Sequence, residues 1–198
     1  MHNQGLLKEL IQSLCCLPGV GSKSAQRMAF HLLQRNRDGG KHLSDLLGRA
    51  MHEIGYCQSC RTLTETHYCA ICSNELRDND TLCIVESPAD VWLIEQATTF
   101  KGKYFVLHGR LSPLDGIGPD QLGIDVLERR MADNPPKELI LATNSTVESQ
   151  ATTHFIGEVA AKYQIRTTRI AHGIPMGGEL EFIDSGTLSH AFKDRREF

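Results

Sequence analysis

The first 54 residues of the chain carry hydrophobic side chains at the spacing of amphipathic helices. They fall into three groups: Leu6, Leu7, Leu10, Ile11, Leu14 and Leu17; Ala25, Met28, Ala29, Leu32 and Leu33; and Leu43, Leu46, Leu47, Ala50, Met51 and Ile54. Helix breaks are predicted at Pro18-Gly19-Val20-Gly21 and at Arg37-Asp38-Gly39-Gly40. The pattern predicts a three-helix module, too small for a generous core, that leans on its neighbours.

From Thr81 onward, short apolar runs alternate with helical stretches. The apolar runs are 82–85, 104–107 and 139–141, with a fourth candidate strand at 165–170, and the helical stretches are 89–96, 121–132 and 149–163. Such alternation is typical of βαβ units around a mainly parallel sheet. Residues 172–198 begin Gly-rich and end polar, and we expect them to form an extension rather than a domain.

Composition places the chain among ordinary globular proteins. Of its 198 residues, 40% are apolar and 23% are charged. No run approaches the roughly 18 consecutive apolar residues that a membrane helix needs, and residues 1–10 carry no signal-peptide core. These features argue against membrane, collagen-like, coiled-coil and secreted disulfide-rich classes. They favour a cytoplasmic protein with reduced cysteines.

The net charge of −3 conceals a basic front segment. Residues 1–56 hold seven Lys and Arg side chains against four Asp and Glu, which favours a polyanionic partner. Aromatic residues make up 6% of the chain, which argues against binding single strands mainly by stacking bases on rings.

Four cysteines have the spacing of a structural zinc site. Two residues separate Cys57 from Cys60, eight separate Cys60 from Cys69, and two separate Cys69 from Cys72. Two such knuckles let four thiolates converge on one tetrahedral Zn²⁺ with no position left for water. The alternatives are two redox pairs or chance, and His67 is a possible competing ligand. The three remaining cysteines lie inside apolar patterns and are expected in the core: Cys15, Cys16 and Cys83.

The Gly-rich turn between the first two helices is a candidate DNA contact. Gly19 and Gly21 permit a sharp turn, and Ser22 is expected to cap the following helix. Lys23 and Arg27 are four residues apart, on one helix face beside the positive end of the helix dipole. The arrangement suits a nucleic-acid phosphate, although a plain helix–helix turn with solvated cations fits the spacing equally well. A nucleotide-binding P-loop is disfavoured because Ser22, not Gly, precedes the Lys, and the dinucleotide Gly pattern fails at Gly19 and Gly116.

These features together resemble the RecR family of bacterial recombination mediators. The resemblance covers essentially the whole chain and includes the cysteine spacing. Its other motifs are Leu17-Pro18-Gly19-Val20-Gly21-Ser22-Lys23-Ser24-Ala25-Gln26-Arg27, Val85-Glu86-Ser87-Pro88-Ala89-Asp90, Leu111-Ser112-Pro113-Leu114-Asp115-Gly116-Ile117-Gly118-Pro119 and Ala171-His172-Gly173-Ile174-Pro175-Met176-Gly177-Gly178-Glu179-Leu180.

The resemblance implies a fold class and a role. It implies an α/β chain of several modules: a helix-hairpin-helix at 1–54, a C4 zinc finger at 55–77, a Toprim domain at 78–173 and an extension at 174–198 that makes oligomer contacts. The hairpin residues Gly19, Gly21, Lys23 and Arg27 are then the DNA-binding set. The implied role is a cytoplasmic, nucleoid-associated mediator, a ring-like tetramer able to encircle duplex. It acts with RecF and RecO to help RecA replace single-strand-binding protein on gapped DNA.

The Toprim resemblance also raises the question of catalysis. Toprim enzymes hold Mg²⁺ with a Glu after the first strand, which Glu86 matches, and with an Asp-x-Asp after a later strand. Asn144 and Thr146 stand at those two Asp positions. Losing two carboxylates weakens a site for a hard cation, so we expect no enzyme activity. The alternative is a metal-dependent Toprim nuclease or primase. A third class is an RNA-binding zinc-ribbon protein.

Four carboxylates remain around this site: Glu86, Asp90, Asp115 and Glu148. They are a solvated loop edge, a docking surface for a basic partner, which in the family is RecO, or, third, a weak Mg²⁺ site. The chain also has Ser145 and Ser149 where the family usually has Pro and Gly, which predicts a less rigid loop. Residues 178–184 resemble the family's Walker-B-like stretch and are predicted as an edge strand, without ATP hydrolysis because no P-loop is present.

Overall fold

The computed structural model describes residues 5–171, 173–174, 177–193 and 195. The chain divides into two units, Met1–Ile54 and Gly55–Phe198. The first unit contains the three helices that the hydrophobic spacing predicts: α1 (Leu6–Leu14), α2 (Ser22–Arg35) and α3 (Arg37–Glu53).

The predicted break at residues 37–40 is wrong, because α3 already begins at Arg37. Asn36 alone separates α2 from α3, and its side chain accepts a hydrogen bond of 2.9 Å from the backbone N–H of Gly39. A Cβ atom on Gly39 would collide with this Asn36 side chain. An asparagine cap therefore turns the chain within a single residue, and the two glycines lie in the first turn of the helix.

The core of the first unit is thin, as its length predicts. Among its described residues, Ala25 and Ala29 are the buried ones, and both belong to α2. Larger apolar side chains of this unit are partly exposed, including Leu17, Leu43, Leu46, Leu47 and Met51. Cys15 is half-buried and Cys16 is exposed, so the expectation that Cys16 lies in the core is wrong.

The second unit is built on a parallel four-stranded sheet, which confirms the predicted α/β class. Its strand order is β4-β3-β5-β6, with β3 at Thr81–Val85, β4 at Lys103–Val106, β5 at Glu138–Ala142 and β6 at Arg166–Arg169. A two-stranded antiparallel ribbon precedes it, formed by β1 (Gly55–Tyr56) and β2 (Leu63–Thr64). The connecting helices are α4 (Pro88–Ala97), α5 (Pro119–Leu122), α6 (Ile124–Asp133) and α7 (Val147–Lys162).

One predicted helix, over residues 121–132, is interrupted. Gly123 separates α5 from α6 with a φ of 68°, in the left-handed region that favours glycine. A Cβ atom at this position would also collide with the guanidinium of Arg61. The close approach of that arginine, which is distant in sequence, explains why the helical pattern alone did not predict the break.

The two faces of the sheet carry different layers. Leu82, Ile84 and Phe105 pack on one face with apolar residues of α5, α6 and α7. Cys83, Val85, Tyr104 and Val106 pack on the other face with Val91 of α4 and with Cys57, Cys60 and Cys69. Cys83 is buried, as predicted, and desolvation raises the pKa of its thiol to about 12. The cysteine-rich segment is thus part of the core of the second unit.

The C-terminal part contains a short 3₁₀ turn at Leu180–Phe182 and a helix, α8, at Ser185–Lys193. The predicted edge strand over 178–184 is wrong, because Phe182 N–H bonds to the carbonyl of Glu179 and Ile183 N–H to that of Leu180. Asp184 closes the stretch by accepting a 2.9 Å bond from Thr187 N–H and a 2.6 Å bond from its hydroxyl. Both bonds lower the pKa of Asp184, and the bond from the Thr187 hydroxyl has the larger effect.

Three residues of the predicted Gly-rich motif, His172, Pro175 and Met176, lie outside the described residues. None of the helices that the structure describes has both the length and the apolar character needed to cross a bilayer.

Candidate functional site

The Gly hairpin joins α1 to α2 through a tight turn. Val20 N–H donates to the carbonyl of Leu17 at 3.1 Å, and Gly19 has a φ of 77°. A Cβ atom at Gly19 would meet nothing within 4 Å, so the glycine serves backbone conformation rather than space. Gly21, not Ser22, is the N-cap of α2, and no side chain caps this end. The expected Ser22 cap is therefore wrong, and the first amides of α2 have no side-chain acceptor at the cap position.

Lys23 and Arg27 lie on the same exposed face of α2, as their spacing predicts. No carboxylate of the described residues lies within 4.0 Å of either cation, since neither takes part in an ion pair there. The face continues along the helix with Gln26, Phe30, His31, Gln34 and Arg35. Those further residues were missed at the sequence level, although they follow Lys23 and Arg27 along the helix in steps of three and four residues, which is a usable signal.

The four predicted cysteine ligands come together. The β1–β2 ribbon positions the first knuckle, in which Cys57 N–H bonds to the carbonyl of Thr62 at 2.8 Å and Arg61 N–H bonds to that of Cys57 at 2.9 Å. The second knuckle reaches the first through a 3.3 Å bond from Cys69 N–H to the Cys57 sulfur. His67 instead pairs with Gln58, 3.2 Å from ring nitrogen to amide nitrogen, and does not join the cluster.

The geometry of the four sulfur atoms fits zinc. All four Sγ atoms lie within 4.8 Å of one another, and those of Cys60 and Cys69 are 3.5 Å apart. A tetrahedral zinc with bonds of about 2.3 Å places its sulfur ligands about 3.8 Å apart, whereas a disulfide needs about 2.05 Å. The hydrogen bond that Cys60 and Cys69 share raises the pKa of Cys60 and lowers that of Cys69 to about 2. A divalent cation is what allows all four sulfurs to be thiolates together. The predicted zinc site, Cys57, Cys60, Cys69 and Cys72, is supported.

Residues 55–77, which we call the zinc segment, pack along β4, which is one of the two edge strands of the sheet. Val106 N–H of that strand donates to the carbonyl of Cys60 at 2.9 Å. The guanidinium of Arg130, from α6, donates to the carbonyls of Ser59 at 3.0 Å and of Tyr104 at 2.9 Å. Lys103 Nζ lies 3.2 Å from the carbonyl of Cys72. The zinc segment is thus hydrogen-bonded to the sheet from both knuckles.

Arg61 makes a further connection between the zinc segment and the opposite layer. Its guanidinium donates to the carbonyl of Leu122 and lies over the ring of Phe105, 5.5 Å from the centroid. Its own carbonyl lies 2.7 Å from Nε2 of His108. These contacts were missed at the sequence level, because no local pattern relates Arg61 or Arg130 to a partner so distant in the chain.

Glu86 lies at the carboxyl end of β3, next to the corresponding end of β5. Its side chain is buried and accepts two bonds from Asn144, of 2.8 Å from the backbone N–H and 2.7 Å from the side-chain amide. The adjacent parallel strands bring the two residues together, as their places after predicted strands imply. Both carboxylate oxygens of Glu86 are therefore occupied by donors of a single asparagine.

The other three predicted acidic residues have different environments. Asp90 forms a capping box at the start of α4, with Oδ2 accepting from Ser87 N–H at 2.7 Å. Asp115 lies exposed in a turn and accepts a 2.6 Å bond from the hydroxyl of Ser112. Glu148 is exposed in the first turn of α7. The four carboxylates thus divide into two that hold local structure and two that face solvent.

Hydrogen bonds of Thr152 relate the turn around Asp115 to the start of α7. Its hydroxyl donates to the carbonyl of Glu148 at 2.8 Å and accepts from Leu111 N–H at 2.9 Å. Thr146 caps α7 by accepting a 3.2 Å bond from Ser149 N–H, and its hydroxyl donates to that of the buried Ser149 at 2.9 Å. Ser149 therefore adds a hydrogen bond at the helix start.

Comparison with known proteins agrees with this architecture along the chain. Family models match residues 7–51 as the RecR helix-hairpin-helix, 54–74 as the RecR four-cysteine zinc finger domain, 80–171 as a Toprim domain and 173–196 as the RecR C-terminal region. A protein of Methylococcus capsulatus named Recombination protein RecR is 57% identical over 198 residues, which is all of both chains. With identity of this extent, the chain belongs to the RecR family.

Proposed function

We propose that the protein is a DNA-binding mediator of recombinational repair, acting with RecF and RecO to promote RecA loading on gapped DNA or DNA coated by single-strand-binding protein. The observation that carries DNA binding is the exposed cationic face of α2, where Lys23 and Arg27 lie beside the open helix start after Gly21. We place the protein in the cytoplasm, associated with the nucleoid.

The chemistry of this face fits phosphate rather than bases. The uncapped amides at the start of α2 and the positive end of its dipole attract an anion, and Lys23 and Arg27 add mobile positive charge. The backbone amides and the helix dipole favour phosphate and carry no base-specific pattern, so we expect binding that is independent of sequence and falls steeply with salt.

Binding of the double variant Lys23→Ala, Arg27→Ala to duplex DNA tests this proposal. Fluorescence anisotropy over a salt series, on two unrelated sequences, is expected to give weaker binding on both. The salt slope should fall by about one unit per lost contact per subunit. Wild-type affinity and slope would exclude the hairpin as the DNA site, and a preference for RNA over duplex DNA would favour the zinc-ribbon alternative.

The matched control removes two cations of α3 in the same unit. Lys41 lies 3.9 Å from Asp38, and Arg49 lies 3.0 Å from Glu53. The variant Lys41→Ala, Arg49→Ala changes the net charge equally but removes cations that already face a carboxylate. It is expected to lose much less affinity than the hairpin variant.

We infer that the Toprim domain is non-catalytic. Asn144 and Thr146 offer no carboxylate, and a Mg²⁺ ion at Glu86 has to displace the amide of Asn144, so any Mg²⁺ site is weak. Incubation of the protein with labelled DNA and Mg²⁺ or Mn²⁺ is expected to give no product. Cleavage or primer synthesis would instead support the rival metal-dependent nuclease or primase.

The four carboxylates Glu86, Asp90, Asp115 and Glu148 form what we call the acidic edge, which is our candidate docking surface for RecO. Glu148 and Asp115 face solvent and supply the direct contacts, while Glu86 and Asp90 hold the loop after β5 and the start of α4. A basic partner surface suits exposed carboxylates.

Self-association is proposed from the exposed apolar side chains of the first unit. Leu43, Leu46, Leu47 and Met51 of α3 are 44%, 45%, 52% and 76% exposed, and apolar side chains grouped on one exposed helix mark an interaction surface. A homotetrameric ring that encircles duplex is the assembly we propose, with further contacts from Phe182 and Phe192 in the extension at 174–198. In this proposal the segments 1–54, 55–77 and 78–173 supply DNA contacts, zinc binding and partner docking.

A further inference from the structure

Arg129 and Arg130 are adjacent in sequence, but their side chains lie in different environments. Arg129 points to solvent, with its side chain 72% exposed, and pairs with Asp125 at 2.8 Å on the surface of α6. Arg130 points inward, where one nitrogen of its guanidinium, Nη1, donates to the carbonyls of Ser59 and Tyr104 at 3.0 and 2.9 Å. Desolvation by burial lowers the pKa of Arg130.

A desolvated guanidinium requires a source of negative charge. Arg77 has Glu95 and Arg129 has Asp125, but no carboxylate of the residues that the structure describes lies within 4.0 Å of Arg130. Desolvation lowers the pKa of Arg130, and the groups that act against this are Cys72, Cys60, Cys57 and Cys69. These are the four cysteines of the zinc site.

The charge of the loaded zinc site suits this cation. Four thiolates around one Zn²⁺ leave two net negative charges in a largely buried place. Ser59, whose carbonyl Arg130 contacts, directly precedes Cys60, so the guanidinium is held against the first knuckle.

We propose that Arg130 is the counter-charge of the zinc–thiolate centre and the positioning residue that holds the first knuckle against β4. Its charge offsets the anionic centre, and its two carbonyl contacts fix Ser59 relative to Tyr104. Zinc binding and the packing of α6 are therefore linked, and each stabilises the other.

Arg61 is the informative comparison. It also belongs to the zinc segment and donates to a backbone carbonyl, that of Leu122. Its guanidinium, however, lies over the ring of Phe105 on the other side of the sheet, and while desolvation lowers its pKa, Asp125 is the first charge that opposes this. We therefore assign the counter-charge to Arg130 because its guanidinium contacts Ser59 beside Cys60, and not merely because it is an arginine near the zinc segment.

The test compares zinc affinity of full-length wild type with that of Arg130→Gln, Arg130→Lys and, as matched control, Arg129→Gln. Affinity is measured by chelator competition, and the thiolate-to-metal absorption of the Co²⁺-loaded protein reports the ligand set. Arg130→Gln is expected to lower affinity by about 10- to 100-fold. Arg130→Lys is expected to lose less because it keeps the charge, and Arg129→Gln should match wild type.

Two outcomes of this series would overturn the proposal. Equal losses for Arg130→Gln and Arg130→Lys would mean that charge is not the reason for the effect. Wild-type affinity in Arg130→Gln would mean that neither charge nor bracing matters to the metal.

Hydrogen exchange on wild type supplies a test that does not require Arg130→Gln to fold. Removing zinc is expected to reduce protection in α6 and β4 more than in α7, which packs on the sheet away from the cysteines. Unchanged protection in α6, or equal loss in α6 and α7, would overturn the linkage.

Discussion

The two units of the chain differ in how much apolar side chain they bury. The second unit buries apolar residues on both faces of its sheet, including Tyr104, Phe105, Leu127 and Ile156. The first unit buries only Ala25 and Ala29 among its described residues and leaves much of its leucine surface partly exposed. Substitutions in the second unit should therefore appear as unfolding, and those in the first as changes in assembly and DNA binding.

Removing the metal should have the largest effect, because it tests how far the stability of the second unit depends on zinc. Structural zinc contributes about 10 kcal/mol or more of apparent binding free energy at neutral pH. Cys60→Ala is expected to reduce zinc from about one ion per chain to none, and hydrogen exchange should then show residues 55–77 opening while α2 is unaffected. The exposed Cys16→Ala is the control. A metal content near zero in anaerobically purified wild type would contradict the zinc site.

A second test breaks the buried ion pair of the same unit. Arg77 pairs with Glu95, and their side chains are 11% and 25% exposed, so Arg77→Met leaves a carboxylate without its cation at a cost of about 3 kcal/mol. The pair of Arg129 and Asp125, with side chains 72% and 63% exposed, is the control, and Arg129→Met should cost less than about 1 kcal/mol in urea unfolding. Equal costs would show that burial is not decisive.

The same ion pair has a pH signature. Burial raises the pKa of Glu95, but hydrogen bonds from Arg77 and Tyr104 outweigh it and leave the pKa below its ordinary value. A depressed folded-state pKa stabilises the fold above the unfolded value of about 4.3, and this contribution is lost as pH falls through the folded value. Wild type should therefore lose more stability than Arg77→Met over that acid range in urea unfolding.

A charge on the apolar face of the first unit should disrupt assembly without unfolding the second. Leu47→Glu is expected to lower the mass measured by light scattering, because it buries a carboxylate at the proposed contact. Loss of simultaneous contacts should also weaken DNA binding by about 100-fold or more. Leu76→Glu, at a residue 92% exposed in the second unit, is the control and should keep the wild-type mass. An unchanged mass for Leu47→Glu would remove this face from the assembly.

The smallest expected effect concerns the acidic edge. Glu148→Lys is expected to weaken RecO binding by about tenfold through repulsion of a basic partner, with DNA affinity unchanged. Glu158→Lys, 65% exposed on the same helix, is the control. Glu86→Gln should act indirectly, through the loop that Asn144 holds, and lower RecO affinity less. Unaltered RecO affinity in a titration of Glu148→Lys would refute the docking role.

Features set by local spacing were predictable from the sequence. The three N-terminal helices, the four strands and the cysteine cluster follow from periodicity or from short motifs. The errors arose where a single side chain overrides the pattern, as at the Asn36 cap, or where turn hydrogen bonds replace a strand, as at Leu180–Phe182.

Contacts between distant segments were not predictable in the same way. The break at Gly123 depends on Arg61, and the environment of Glu86 depends on Asn144. Arg130 carried one usable signal, since it lies three residues after Leu127, which is on the buried face of α6. That spacing places Arg130 near the buried face of α6, but the carbonyls and sulfurs around it come from distant segments and do not follow from the spacing.

The bonds between the zinc segment and β4 have a consequence for solubility. β4 is an apolar strand at the sheet border, and its outward Val106 N–H and Tyr104 carbonyl are taken by Cys60 and Arg130. The opposite border, β6, is Arg-Thr-Thr-Arg and carries its own charges. An apolar strand with free backbone groups recruits other chains into intermolecular sheets, whereas a charged one resists them. Loss of zinc therefore uncovers a border strand that carries a single charge, Lys103 at its start, followed by three apolar or aromatic residues. Metal starvation or thiol oxidation should then make this protein aggregate through β4 before its remaining sheet unfolds.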